Sequence, residues 1–236
     1  MKTEETMSIT PEETNAGTYH RNRPSYQDQS IGEEIANSIT HGIGAALAVA
    51  GLVVLVVFAA LYGDAWRVVS FSIYGGSLII LYLISTLYHG FTGPRMKKLF
   101  QLLDHCSIYL LIAGTYTPLT LVSLRGPWGW TLFGLIWGLA ILGIMLKVFF
   151  IGRLKALSIA LYLAMGWLVV IAIKPLITLV DHGMIVWIVI GGLSYTLGVI
   201  FYLAKRMPYH HAVWHLFVLG GSASHYLGIL LYLSRC

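Results

Sequence analysis

The chain has 236 residues, of which 57% are hydrophobic and 11% charged, with a formal net charge of +5 and a mean hydropathy of +0.76. Soluble domains carry about 25% charged residues, so these few charges exclude a water-soluble globule of this size and imply an integral membrane protein. The two cysteines, Cys106 in an apolar stretch and Cys236 at the end, exclude a disulfide framework and a Cys-x-x-Cys zinc site.

Residues Met1 to Ser30 are polar, include Glu4, Glu5, Glu12 and Glu13, and contain no apolar run of signal-peptide type. They are expected to form a mobile cytoplasmic tail (1–30) ahead of one membrane domain (31–236). Ile31 to Thr40 reads as an amphipathic lead-in with Glu34, Asn37 and His41 on one helical face. These three residues either cap a site from below or sit among the headgroups.

Crossing the hydrocarbon takes about 20 predominantly apolar residues as helix. Seven such stretches follow: Ile43–Tyr62, Val68–Tyr88, Leu99–Leu121, Trp128–Met145 (continuing toward Phe150), Ala156–Leu179, Ile185–Leu203 and Ala212–Leu233. Lys174-Pro175 is expected to interrupt the fifth, and Pro118 to kink the third. Trp66, Trp128 and Trp130 read as interface anchors. Gly75-Gly76, Gly191-Gly192 and Gly220-Gly221 read as points of close helix approach. The short loops make neighbouring spans antiparallel, so the expected fold is an all-α bundle of seven transmembrane helices.

The basic residues orient it. Of the 15 lysines and arginines, eleven fall on the side holding the N-terminal tail, with Arg95, Lys97, Lys98, Lys147, Arg153, Lys155, Lys205 and Arg206 in its loops. Arg67, Arg125, Lys174 and Arg235 fall on the other side. The positive-inside rule places the N terminus in the cytoplasm and the C terminus outside. It also explains the net positive charge without nucleic acid.

Ionisable residues within membrane helices are costly and usually face the bundle interior. Ser85 and His89 stand four apart near the end of the second span. Asp104 and His105 stand near the start of the third, and His211 and His215 four apart at the start of the seventh. Residues four apart share a helical face, and the topology brings all three ends to one depth near the cytoplasmic surface. A lone histidine on an apolar helix is more often a hydrogen-bonded core residue than a ligand; three at one depth with a carboxylate suit zinc. Three imidazole ligands leave a fourth tetrahedral position for water, whose pKa the metal can lower to about 7. Asp104 is then placed to act as general base, and Ser85 to donate a hydrogen bond to a substrate carbonyl. His105 points about 100° away from Asp104, and His210 sits at the water boundary.

These residues resemble the hemolysin III family, the bacterial branch of the progestin and adipoQ receptor family. The resemblance runs from Gly32 to Leu233. It rests on Glu34-Ile-Ala-Asn37-Ser-Ile-Thr-His41-Gly42, Ser85-Thr-Leu-Tyr-His89, Asp104-His105, Ala113-Gly114-Thr115-Tyr116-Thr117-Pro118 and His211-Ala-Val-Trp-His215. It implies seven helices with the N terminus inside. It also implies zinc held by His89, His211 and His215, with Asp104 linked to the metal through water and Ser85 beside it. The wider superfamily includes alkaline ceramidases, which hydrolyse lipid amides with the same residue types. The leading functional expectation is a zinc-dependent hydrolase of lipid amide or ester bonds in the cytoplasmic membrane, taking an inner-leaflet lipid as substrate or ligand. A membrane-homeostasis sensor or regulator with structural zinc is the alternative. A cytolysin ranks third, because no row of polar residues crosses the bilayer.

Overall fold

The computed structural model describes residues 29–150 and 154–234. The tail expected over 1–30 lies, except for its last two residues, outside the described residues, as do Arg153, Arg235 and Cys236. The described residues form helices and no strand: α1 (Ile31–Tyr62), α2 (Ala65–Gly90), α3 (Pro94–Pro118), α4 (Pro127–Phe149), α5 (Lys155–Gly166), α6 (Ile173–Leu179), α7 (His182–Leu203) and α8 (His210–Tyr232). With α5 and α6 forming one broken span, this is the seven-helix bundle. Six spans are long and apolar enough to cross a membrane. α8 is as long as α4 but less apolar, because it carries His210, His211, His215, Ser222, Ser224 and His225.

Packing follows the chain: α1 lies against α2, α2 against α3, α3 against α4 and α7 against α8, with α8 returning to α1. The lipid-facing side is apolar. Ile35, Ile39, Ile43 and Leu47 recur every fourth residue on α1, each more than half exposed. Outward-facing isoleucine and leucine at this period require hydrocarbon as solvent.

The lead-in and first span form one helix. α1 has 32 residues, about 48 Å at about 1.5 Å per residue, against a hydrocarbon core of about 30 Å. Its start is fixed by a capping box. Ser30 Oγ accepts from the Glu33 backbone N–H at 3.2 Å, and the Ser30 N–H donates to Glu33 Oε2 at 2.7 Å. Glu33 Oε1 also accepts the backbone N–H of Tyr209 at 2.8 Å, tying the start of α1 to the start of α8. At the opposite end Arg67 joins the start of α2 to the end of α8, its Nε donating to the Leu233 carbonyl at 2.8 Å. Trp66, Trp128 and Trp130 are all exposed near that end, with the Arg125 guanidinium 5.2 Å from the Trp66 ring centre.

Two breaks differ in detail from expectation. α3 ends at Pro118 in a π-helical turn (Leu119–Ser123). Pro118 cannot donate to the carbonyl one turn earlier. The hydroxyls of Thr117 and Thr120 bond the carbonyls of Ala113 and Tyr116, at 2.9 and 3.0 Å, and keep this stretch satisfied inside the bundle. The fifth span breaks over Gly166 to Ala172, upstream of Lys174-Pro175. Pro175 sits in the first turn of α6, where no backbone donor is required. The break carries a tight 3₁₀ turn (Leu168–Ala172), and the Tyr116 hydroxyl bridges it, donating to the Gly166 carbonyl and accepting from the Val169 N–H, both at 2.9 Å.

One glycine of each expected pair makes the close contact. A side chain at Gly75 would meet Leu52, at Gly191 it would meet His225, and at Gly221 it would meet Tyr195. Gly76 has nothing nearby. Gly44 matters for the site, since its bare surface admits the Tyr82 ring.

Candidate metal centre

The start of α1, the end of α2, the start of α3 and the start of α8 meet at one end of the bundle. This is the end the charge rule assigns to the cytoplasm. Helical period puts Glu34, Asn37 and His41 on one face of α1, and Tyr82, Ser85 and His89 on one face of α2. His211 and His215 share a face of α8.

His89, His211 and His215 come together, each offering a ring nitrogen within 4.8 Å of the others. Their ring centres lie 5.1 Å (His89–His211), 5.1 Å (His89–His215) and 4.6 Å (His211–His215) apart. His89 and His215 are buried, and His211 is half-buried.

α1 orients two of these rings. His89 Nδ1 is 2.6 Å from Glu34 Oε2 and donates its proton to that carboxylate. His89 Nε2 is left buried with no partner, its lone pair free for an ion. His215 Nδ1 lies 3.3 Å from the Asn37 carbonyl oxygen, which accepts from it. A histidine that donates its other ring N–H to a carboxylate or carbonyl is the usual arrangement around a bound metal. The donor set, three imidazoles and no thiolate, suits zinc among common ions. The residues therefore fit a zinc ion held by His89, His211 and His215.

Glu34 and Asn37 thus contact the cluster, and His41 stacks on His215. His41 is not placed to share the ion. Its ring lies flat on His215, with centres 3.5 Å apart and planes at 11°, and edge-on to Tyr82 at 5.1 Å. The ring nitrogens that converge are those of His89, His211 and His215, and His41 is not among them.

Asp104 faces Ser85 and lies within electrostatic range of His89. Ser85 Oγ is buried without a hydrogen bond of its own, as are Asn37 Oδ1, Tyr82 Oη and both ring nitrogens of His41. Unpaired buried polar atoms cost about 1–3 kcal/mol each. His105, His210 and His225 stay outside the cluster. The His105 backbone carbonyl accepts from the Tyr162 hydroxyl at 2.8 Å. His210 Nδ1 contacts the Phe201 carbonyl at 3.2 Å and His225 Nδ1 the Gly221 carbonyl at 2.8 Å.

Two nearby residues were not singled out by sequence. Lys97, counted above only as a topology charge, is buried and pairs with Glu34 Oε1 at 2.8 Å. The signal is its spacing, since Lys97, Gln101 and Asp104 stand at i, i+4 and i+7 on α3. Tyr202 packs on His211 with ring centres 5.8 Å apart. It arrives from α7 by tertiary packing, which no local pattern announces.

Apolar helices closed around a buried histidine cluster define a multi-pass membrane protein with a candidate metal centre near one surface. The chain belongs to the haemolysin-III-related family, whose model matches residues 29–226. It is 52% identical over 205 residues to "Hemolysin-3" of Bacillus cereus, covering 86% of this chain and 93% of that one. It is 50% identical over 203 residues to "Hemolysin-3 homolog" of Bacillus subtilis, covering 86% and 95%. The human "Monocyte to macrophage differentiation factor" is 31% identical over 212 residues, covering 86% of this chain and 85% of its own.

Proposed function

We propose that this chain is a zinc-dependent hydrolase of lipid amide or ester bonds, acting near the cytoplasmic face on a lipid that enters from the inner leaflet. The observation that carries the reading is the histidine cluster, in which His89, His211 and His215 each offer a ring nitrogen within 4.8 Å of the others while His89 Nε2 is buried without a partner and its Nδ1 stands 2.6 Å from Glu34. When bound, zinc supplies a Lewis acid that polarises an oxygen and lowers the pKa of water toward about 7.

The chain's own residues do the rest. Asp104 orients the attacking water and takes its proton. Ser85 Oγ–H donates to the substrate carbonyl oxygen as negative charge develops there. Asp104 then returns the proton to the leaving nitrogen or oxygen, so water and lipid become an acid and an amine or alcohol. The apolar surround keeps other water out and suits an acyl chain. The test is lipid turnover by zinc-loaded protein in bilayers, against Asp104→Asn. Release of fatty acid that the variant lacks is expected. No cleavage of any lipid class at full zinc occupancy would end the hydrolase reading.

A second reading follows from the origin of the ligands, which come from α2 and α8 on either side of α1. A metal linking those helices would hold one bundle packing over another and serve a sensor or regulator of membrane state. Under that reading Asp104→Ala keeps both zinc and cellular function; under the first it keeps zinc and loses function.

A further inference from the structure

Lys97 is the only buried lysine or arginine among the described residues, whereas Arg95 and Lys98 beside it are exposed. Its Nζ stands 2.8 Å from Glu34 Oε1 and 4.6 Å from the centre of the Tyr88 ring. The other oxygen of the same carboxylate is 2.6 Å from His89 Nδ1. One carboxylate therefore spans a fixed cation from α3 and a histidine ring from α2.

We infer that Lys97 is a positioning residue of the metal centre: by holding Glu34 Oε1 it aims Oε2 at His89 and fixes the ring with Nε2 toward the cluster. The inference deepens the metal part of the reading above and rests on it for the ion, though not for the ring orientation. A neutral imidazole has one proton for two nitrogens. With Nδ1–H given to Glu34, Nε2 is the ligand atom. The Glu34 side chain is 21% exposed, so without its second partner it can turn toward water and release the ring. Lys97 closes that route.

Stability does not account for the pair. Burying two charges costs about as much as their attraction returns, and apolar replacements of the same volume are often neutral. Orientation accounts for it better. Gln101, one turn along, donates from Nε2 to the Tyr88 hydroxyl at 3.1 Å, and Asp104 follows on the same face of α3. The contacts that aim His89 thereby also set the height of Asp104 against α2.

The experiment uses the full chain in lipid nanodiscs, with Lys97→Met, Lys97→Arg, Glu34→Gln and the Glu34→Gln/Lys97→Met double variant. Zinc affinity is measured by competition with a chelator. Partners that orient a metal's ligands are typically worth about 10–100-fold in metal affinity. Lys97→Met is expected to bind zinc about tenfold more weakly, and Lys97→Arg, which still reaches the carboxylate, close to wild type. The double variant is expected to bind no more weakly than Glu34→Gln alone, because Lys97 acts through Glu34. Wild-type affinity in Lys97→Met, or losses that multiply in the double variant, would overturn the inference. Should Lys97→Met not fold, Lys97→Leu, which likewise has no donor for the carboxylate, carries the same expectation. Nitrogen NMR of ¹⁵N-histidine-labelled, metal-free protein provides a readout independent of zinc. The His89 Nδ1–H signal, assigned by its absence in His89→Ala, is expected in wild type and lost in Lys97→Met. Its persistence in Lys97→Met overturns the inference. If wild type binds no zinc, the metal reading fails, and this signal alone decides the role of Lys97.

Discussion

Replacing His41 by phenylalanine separates residues that hold the metal from residues that only stand beside it. The His41 ring is stacked 3.5 Å from His215 and edge-on to Tyr82. A phenyl ring can keep both contacts. What it removes is two buried nitrogens that have no hydrogen-bond partner. Each such atom costs about 1–3 kcal/mol, so the variant should be as stable as wild type or more stable by about that amount. Because His41 is outside the group of converging histidines, zinc content should not change. Thermal unfolding in detergent and elemental analysis read both effects on one preparation. Loss of zinc from folded His41→Phe would make His41 a ligand and refute the three-histidine set. A marked loss of stability would show that the nitrogens have partners after all.

Other outcomes follow from the same geometry. Glu34→Gln replaces a charged acceptor at 2.6 Å from His89 Nδ1 with a neutral one, and should weaken zinc binding about 10–100-fold in a chelator titration. Ser30→Ala removes the capping box of α1 and should cost about 1 kcal/mol, seen as faster amide exchange over residues 31–36 with the rest of the bundle unchanged. Gly143→Val would drive a side chain into the Tyr109 ring, which is fully buried. Overpacking there should cost about 1–3 kcal/mol, lowering the unfolding temperature while zinc content per folded chain stays constant. Vesicles containing the protein at physiological density should retain an entrapped dye; leakage would revive the cytolytic reading.

The spans were legible because each is a long apolar run bounded by glycine, proline or charge, and the bilayer leaves helices few alternatives. The histidine cluster was legible for a related reason. Ser85/His89 and His211/His215 carry the i, i+4 spacing, and span parity brings their helix ends to one depth. The place of Glu34, Asn37 and His41 was not decided, since it depends on whether α1 continues upstream of Ile43. A signal for this was present: Ser30-x-x-Glu33 is a capping box one residue before Ile31, and it sets the helix start. Lys97 was missed because counting charges by loop treats every lysine alike, and only its face of α3 distinguishes it from Lys98. The break in the fifth span was displaced for a backbone reason. A proline disturbs the turn before it, so Pro175 is tolerated in α6 while the residues upstream lose their helical ladder. Tyr202 had no local signature and became visible only with α7 in place against α8.

Metal content tests the histidine centre most directly. Zinc per chain, measured by elemental analysis of protein purified gently without chelator, should be about one in wild type and near zero in the His211→Ala/His215→Ala double variant, which keeps one of the three ligands. A folded wild type without metal, or a double variant that keeps it, would contradict the centre described above and the hydrolase built on it.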